Sequence, residues 1–281
     1  MTSYPTHVFL AVLASAVLHA GWNALIRGGR DPLLHTAAIV FWAALVAAPF
    51  LAFVSLPDAA SLPYMAVSNS VHVVYYVALA AAYRSGTLSF AYPIIRGTAP
   101  LIIALGSLFF FSETPGWFGW LGILCVSAGV LIVALRAGTN GSAHTIAWSL
   151  LCACTIAAYS LADGMGVRQS HSVAGYSAVL YTMEGVVFVG GMVVFGRGAA
   201  LARYVIAHWR STLFGGVMST LAYGISLWAM SQAPVALVAA TRETSVLFAT
   251  LIGVWFLRER LSLRQWAGAA TIMLGVALLR A

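Results

Sequence analysis

Apolar residues run through this chain in long blocks, separated by short polar punctuation. A bilayer core is crossed by about 20 mostly apolar residues in a helix. Ten blocks meet that test, near Val8–Ile26, Leu34–Leu56, Leu62–Tyr83, Thr87–Phe111, Pro115–Leu135, Thr145–Asp163, Val173–Phe195, Trp209–Ser231, Pro234–Leu257 and Leu263–Leu279. Their joints carry breaker residues: Gly28-Gly29-Arg30-Asp31-Pro32, Ser112-Glu113-Thr114-Pro115 and Gly138-Thr139-Asn140-Gly141. The predicted fold class is an all-α integral membrane protein of ten transmembrane helices.

The same pattern repeats. Sliding Phe90–Val130 along by 146 residues pairs Arg96 with Arg242, Glu113 with Glu259, Trp120 with Trp266, Gly122 with Gly268 and Gly129 with Gly275. Ten of the 41 positions are identical without a gap, the mark of an internal repeat. Residues 1–140 and 141–281 are therefore expected to be two five-helix units. Five is an odd number, so the second unit enters the membrane from the opposite side, and the units become inverted repeats. Secondary transporters built this way hold substrate near the midplane, between the repeats.

Composition agrees with this picture. The chain is 62% hydrophobic and 7% charged, with a mean hydropathy of +0.94, which leaves no room for a separate soluble catalytic domain. The net charge of +7 comes from 14 arginines, with no lysine. They are scattered through short loops and not gathered into a basic stripe, which argues against a nucleic-acid partner. Loops after odd-numbered spans hold Arg27, Arg30, Arg84, Arg136, Arg197, Arg203, Arg210, Arg258, Arg260 and Arg264, whereas the other face has Arg168 and Arg280. This imbalance puts the odd loops in the cytoplasm and both termini outside, in a multi-pass protein of the cell (inner) membrane. Cys125, Cys152 and Cys154 lie in apolar blocks with no disulfide or zinc spacing. Met1–His7 has no basic stretch ahead of its apolar run, so a cleaved signal peptide is not expected.

The candidate chemistry is intramembrane charge. A guanidinium at membrane depth costs roughly 2.5–3.5 kcal/mol even on the lenient insertion scale, so keeping one in each repeat needs a reason. Arg96 lies about three residues from the centre of its span, roughly 4–5 Å at about 1.5 Å per residue, deep for a snorkelling side chain. Ser89, Pro93, Arg96 and Pro100 share a face, and each proline frees a carbonyl four residues before it. Freed carbonyls at that depth need protein or water partners, which suits a cavity wall. Arg242, beside Glu243, lies at the matching depth of the ninth span. It either takes an anionic substrate group through its two-pronged donor set or bridges to Glu243 or Glu184. Glu184, mid-span with Ser177, Tyr181 and Phe188 on its face, is a candidate proton carrier.

Semi-polar aromatic stripes surround these charges: His72, Tyr75, Tyr76, Leu79 and Tyr83 on the third span; Ser15, His19, Trp22 and Asn23 on the first; Thr155, Tyr159 and Asp163 on the sixth. They suit a cavity for amphipathic solutes, although Tyr83 and Asp163 fall at span ends, where such residues also anchor to the interface. His19 and His72 can equally bond between helices. No metal-ligand spacing is present. The expected substrate-binding set is Arg96, Arg242, Tyr76, Trp22, Tyr159, Tyr223, His72 and Tyr92, with Glu184, Glu243, Pro93 and Pro100 in coupling or gating. Glu113 and Glu259, at span boundaries, are expected to cap helix ends or to bond the inverted partner.

Arg242-Glu243, Leu257-Arg258-Glu259-Arg260-Leu261, Gln265-Trp266-Ala267-Gly268 and Gly275-Val276 resemble the end of an EamA-type domain of the drug/metabolite transporter superfamily. Phe111-Ser112-Glu113 and Gly119-Trp120-Leu121-Gly122 repeat the motif more degenerately in the first half. The resemblance implies ten spans in two repeats, termini on one side, and a central cavity that opens alternately to the two faces. Within the superfamily the chain resembles amino-acid exporters, including those for aromatic amino acids, although Arg96 stands where relatives carry small or apolar residues. The expectation is a secondary transporter or facilitator, not an enzyme, without a cofactor and as a monomer in the lipid bilayer. It would move a small amphipathic metabolite outward, an amino acid or related carboxylate. Alternatives are a sugar, nucleotide-precursor or drug exporter of the same fold, a membrane-embedded enzyme using His19, His72 and Glu184, or a non-transporting sensor.

Overall fold

A computed structural model describes residues 4–27, 31–85, 88–134, 142–257 and 261–281. The order is α1 (Thr6–Arg27), α2 (Pro32–Ala47), α3 (Leu62–Ser85), α4 (Leu88–Phe110), α5 (Gly116–Ala134), α6 (Ala143–Gln169), α7 (Val173–Val194), α8 (Gly198–Ala207), α9 (Trp209–Gln232), α10 (Val235–Arg242), α11 (Ser245–Leu257) and α12 (Leu263–Leu278). Short 3₁₀ turns follow α2 at Ala48–Ala52 and precede α3 at Ala59–Ser61. Among the described residues, seven helical stretches are long and apolar enough to cross a membrane: Leu33–Ala52, Phe90–Phe110, Gly116–Val133, Ala143–Gln169, Val173–Val194, Trp209–Gln232 and Val235–Ile252.

Helix starts follow local chemistry. Asp31 caps α2 by accepting from the Leu33 and Leu34 amides, with Pro32 in the first turn, where a missing N–H costs nothing. Ser142 and Ser172 cap α6 and α7, and Ser262 with Gln265 forms a reciprocal capping box on α12.

Each of the ten apolar blocks holds helix, with four departures. The second block stops its α-helix at Ala47 and tightens into 3₁₀ geometry before Leu56. The sixth runs on to Gln169, which moves Asp163 from a span end to the helix interior. The stretch after the seventh block folds into α8, which buries Leu201 beside Ala37, Ala38 and Met192 and is tied down by a His35–Tyr204 contact of 3.1 Å. The ninth block is two helices, broken at Glu243–Thr244. That break holds no proline. The Glu243, Thr244, Val246 and Leu247 amides bond carbonyls three residues back, and the Thr244 hydroxyl bonds the Thr241 carbonyl at 2.7 Å, so tightened turns and a side chain satisfy the interrupted ladder. By contrast α4 runs unbroken through Pro93 and Pro100, with the Thr98 hydroxyl on the Ile94 carbonyl.

Two sets of helix contacts are alike in the two halves. α3 lies on α6 as α1 lies on α9, and α4 lies on α6 as α10 and α11 lie on α1. At the α5–α12 seam, a Cβ on Gly122 would come within 2.9 Å of the Gly275 carbonyl oxygen, and one on Gly129 within 2.8 Å of the Gly268 oxygen. The reverse contacts are 2.8 Å for Gly275 against Gly122 and 2.9 Å for Gly268 against Gly129. These four glycines form two repeat-equivalent pairs in sequence, and each meets the equivalent of the other, the pattern of a two-fold contact. Only glycine lets the backbones approach this closely.

Candidate functional site

Among the described residues, side chains from eight helices converge at the centre of the bundle. α4 brings Arg96 and α10 brings Arg242, with Glu243 at the α10–α11 break. Arg96 Nε lies 3.0 Å from Glu243 Oε2, with both side chains buried, and the Arg96 Nη2 reaches Ser245 Oγ at 3.4 Å. The Nε–H is not aimed at the carboxylate oxygen, so neither atom is satisfied by a well-formed hydrogen bond. A buried ion pair needs good geometry and further hydrogen bonds to offset desolvation; this one has the charges and lacks the alignment.

Arg242 is partly open, and its guanidinium lies 5.1 Å above the Tyr223 ring, an arrangement worth ~0.5–2 kcal/mol depending on desolvation. The predicted bridge from Arg242 to Glu243 or Glu184 is replaced by two other contacts: Glu243 closes on Arg96, and Glu184 Oε1 accepts from the Tyr76 hydroxyl at 2.7 Å. His19 of α1 lies within electrostatic reach of both arginines.

The aromatic stripes meet here too. The His72 ring stacks on Tyr159 at 4.1 Å and approaches Tyr75 and Tyr76 at 6.3 and 6.4 Å. Tyr75 lies 5.2 Å from Tyr76, Tyr76 lies 4.4 Å from Phe188, and Tyr159 lies 6.2 Å from Tyr223. His19, His72, Tyr75, Tyr76, Glu184, Tyr223 and Arg242 are each partly accessible although they sit in helix interiors. His72, Tyr75, Tyr76, Glu184, Tyr223 and Arg242 touch one another or their shared neighbours across helices.

Of the expected binding residues, Arg96, Arg242, Tyr76, Tyr159, Tyr223 and His72 come together. Tyr92 instead packs with Val130, Val133, Val246 and Ile272 beside the seam, although it remains within electrostatic reach of Arg96. Pro93 and Pro100 are buried inside the continuous α4. The side chains of Trp22, Asn23, Tyr83 and Ser89, and Glu259 with the Gly138–Gly141 stretch, lie outside the described residues.

Sequence reasoning missed three things. Tyr176 was not singled out, yet its hydroxyl donates to Asp163 Oδ1 at 2.9 Å, while Tyr223 donates to Oδ2 at 2.5 Å. Ser245 became visible as a partner only once the helix break was known. Arg168, read as a topology charge, binds Glu113 Oε1 at 2.8 Å and the Met230 and Ala233 carbonyls at 2.9 Å each, over the Phe111 ring. Glu113 in turn accepts from the Val235 amide at 3.1 Å, capping α10 of the other half. Together these contacts join the ends of α4, α6 and α9 to the start of α10. At the same end of the bundle Arg280 binds the Tyr4 carbonyl and the Thr6 hydroxyl. Among the described residues no group of His, Cys, Asp or Glu could hold a metal ion.

An all-helical, multi-pass membrane protein with a charged, aromatic centre is the class that this fold defines. The family model of the EamA-like transporter family matches residues 144–281, and this part of the chain is similar to that family of membrane transporters. A comparison with curated proteins finds no match. Among solved structures, a crystal structure titled only as that of a protein shares the fold, with a TM-score of 0.73 at 19% identity over 97% of this chain and 95% of that one.

Proposed function

We propose that the chain is a ten-span secondary transporter, built from inverted five-helix repeats at 1–140 and 141–281, that moves a small zwitterion outward by alternating access. The substrate is an amino acid or a closely related carboxylate. The single observation that carries this reading is the misaligned, buried Arg96–Glu243 contact beside an accessible Arg242. Two cations and an anion around one interior space complement a molecule bearing both a carboxylate and an ammonium. The carboxylate docks on Arg242 with a bidentate pair of hydrogen bonds. The ammonium turns to Glu243, which Arg96 otherwise neutralises, so binding exchanges an imperfect internal ion pair for a better-aligned one. Tyr76, Tyr159, Tyr223 and His72 line the apolar remainder. Glu184 and Tyr76 form a polar latch in the wall, and Pro93 and Pro100 give α4 its freed carbonyls.

The reciprocal glycine seam supports an in-plane pseudo-two-fold axis, and alternating access follows if the halves rock about it. The contacts of Arg168 and Arg280 support a closed end, on the side that the arginine imbalance favours as extracytoplasmic.

The test is counterflow in proteoliposomes with a panel of amino acids, sugars and nucleosides. Exchange of amino acids, competed by other zwitterions and not by simple amines, is expected. Exchange confined to sugars or nucleosides would overturn the substrate assignment.

A further inference from the structure

The geometry points to Asp163 as a proton-binding site that couples proton movement to substrate, acting through Tyr223 on Arg242. It rests on the transporter reading above and adds a driving ion to it.

Asp163 is completely buried in α6. Its two oxygens are each taken by a tyrosine hydroxyl, Tyr176 from α7 on Oδ1 and Tyr223 from α9 on Oδ2. The other described carboxylates near the centre or its closed end are held differently. Glu243 faces Arg96, Glu113 faces Arg168, and Glu184 is partly accessible beside Tyr76. Among the described residues Asp163 has no ion pair, so nothing of opposite charge fixes its protonation state by direct contact.

The groups that face it are few. α3 presents His72 and Ser68, α7 presents Tyr176 and Tyr181, α9 presents Tyr223, and Tyr159 lies one turn away on α6 itself. Arg242 of α10 is reached across the Tyr223 ring, and Arg96 of α4 and Arg242 both lie within electrostatic reach of Tyr159.

The hydrogen-bond inventory makes this arrangement bistable. An ionised carboxylate accepts on both oxygens, as here. When it gains a proton from water, one oxygen becomes a donor, and the tyrosine facing it can no longer donate to it. Tyr176 is fully buried, whereas Tyr223 keeps part of its surface accessible, so the proton arrives on Oδ2 and Tyr223 is the group that yields. The Tyr223 ring is also the platform beneath Arg242. The Tyr223 hydroxyl then accepts instead of donating, and this reversal, with loss of the carboxylate charge, changes the field at the guanidinium that meets a substrate carboxylate. Release of the proton to water on the other side restores both tyrosine donor bonds. One proton is taken up and one given back per cycle, with no other reactant.

Two measurements on the reconstituted full chain test this. In infrared difference spectra across the neutral pH range, a protonated-carboxyl band should appear on acidification. It should be lost in Asp163→Asn, persist in Glu184→Gln, and titrate with a shifted midpoint in Tyr223→Phe. With radiolabelled L-phenylalanine as the probe, wild type should concentrate it under an imposed pH gradient. Asp163→Asn, mimicking the protonated form, should keep exchange at equal pH and lose the concentration step. A band that survives Asp163→Asn, or undiminished accumulation by that variant, would overturn the proposal. Wild-type protein that shows the band but moves no probe would instead count against the transport reading, because the infrared result needs no substrate.

Discussion

Arg96 and Glu243 lie close enough to neutralise each other and too poorly aligned to satisfy each other. Removing one partner of a buried pair leaves an uncompensated charge, a loss of ~3–5 kcal/mol. Arg96→Gln is therefore expected to lower the melting temperature, and Arg96→Gln with Glu243→Gln to recover most of it while exchange stays absent. Thermal unfolding in detergent beside counterflow checks both halves of that statement. Tyr76→Phe deletes the donor to Glu184 and leaves the ring against Phe188. We expect weaker apparent substrate affinity with little change in folded yield. At this scale the sequence was partly legible. Arg96, Arg242, His72, Tyr76, Tyr159 and Tyr223 stood out because polar and aromatic groups in apolar helices are costly or directional. Who pairs with whom was not legible: Arg96 crosses to Glu243 in the other half, and Asp163 finds Tyr176 and Tyr223 on two other helices.

Among elements, the α5–α12 seam depends on absent side chains. Gly129→Leu would force a large group against the Gly268 carbonyl, backbone that cannot give way cheaply. Overpacking of this kind costs ~1–3 kcal/mol or more, so a lower melting temperature and reduced yield are expected, whereas Gly190→Leu, where nothing lies within 4 Å, should be tolerated. The Arg168 cluster makes a second prediction. Its hydrogen bonds and ion pair span three helix ends and the start of α10. In Arg168→Ala, spin labels at the exposed positions 114 and 232 should show a longer or broader distance distribution; an unchanged distribution would reduce the cluster to packing. Apolar block length revealed where helices lie, because crossing length is a matter of geometry. It could not reveal the break at Glu243–Thr244, made by 3₁₀ turns and a threonine hydroxyl without proline, or the short amphipathic α8.

For the whole molecule, the glycines that recur 146 residues apart meet across the α5–α12 seam, and α3 lies on α6 as α1 lies on α9. The glycine spacing was legible because close approach of two backbones demands glycine. Functional asymmetry was not: Glu243 aligns with Gly97, so one half supplies the carboxylate that the other half's arginine uses. The transport account turns on that shared contact. Its most direct test is phenylalanine counterflow by Arg96→Gln in proteoliposomes, scored per folded protein against wild type. Exchange lost from a correctly folded variant is the predicted result. Near-normal exchange would contradict the account and leave Arg96 as architecture alone.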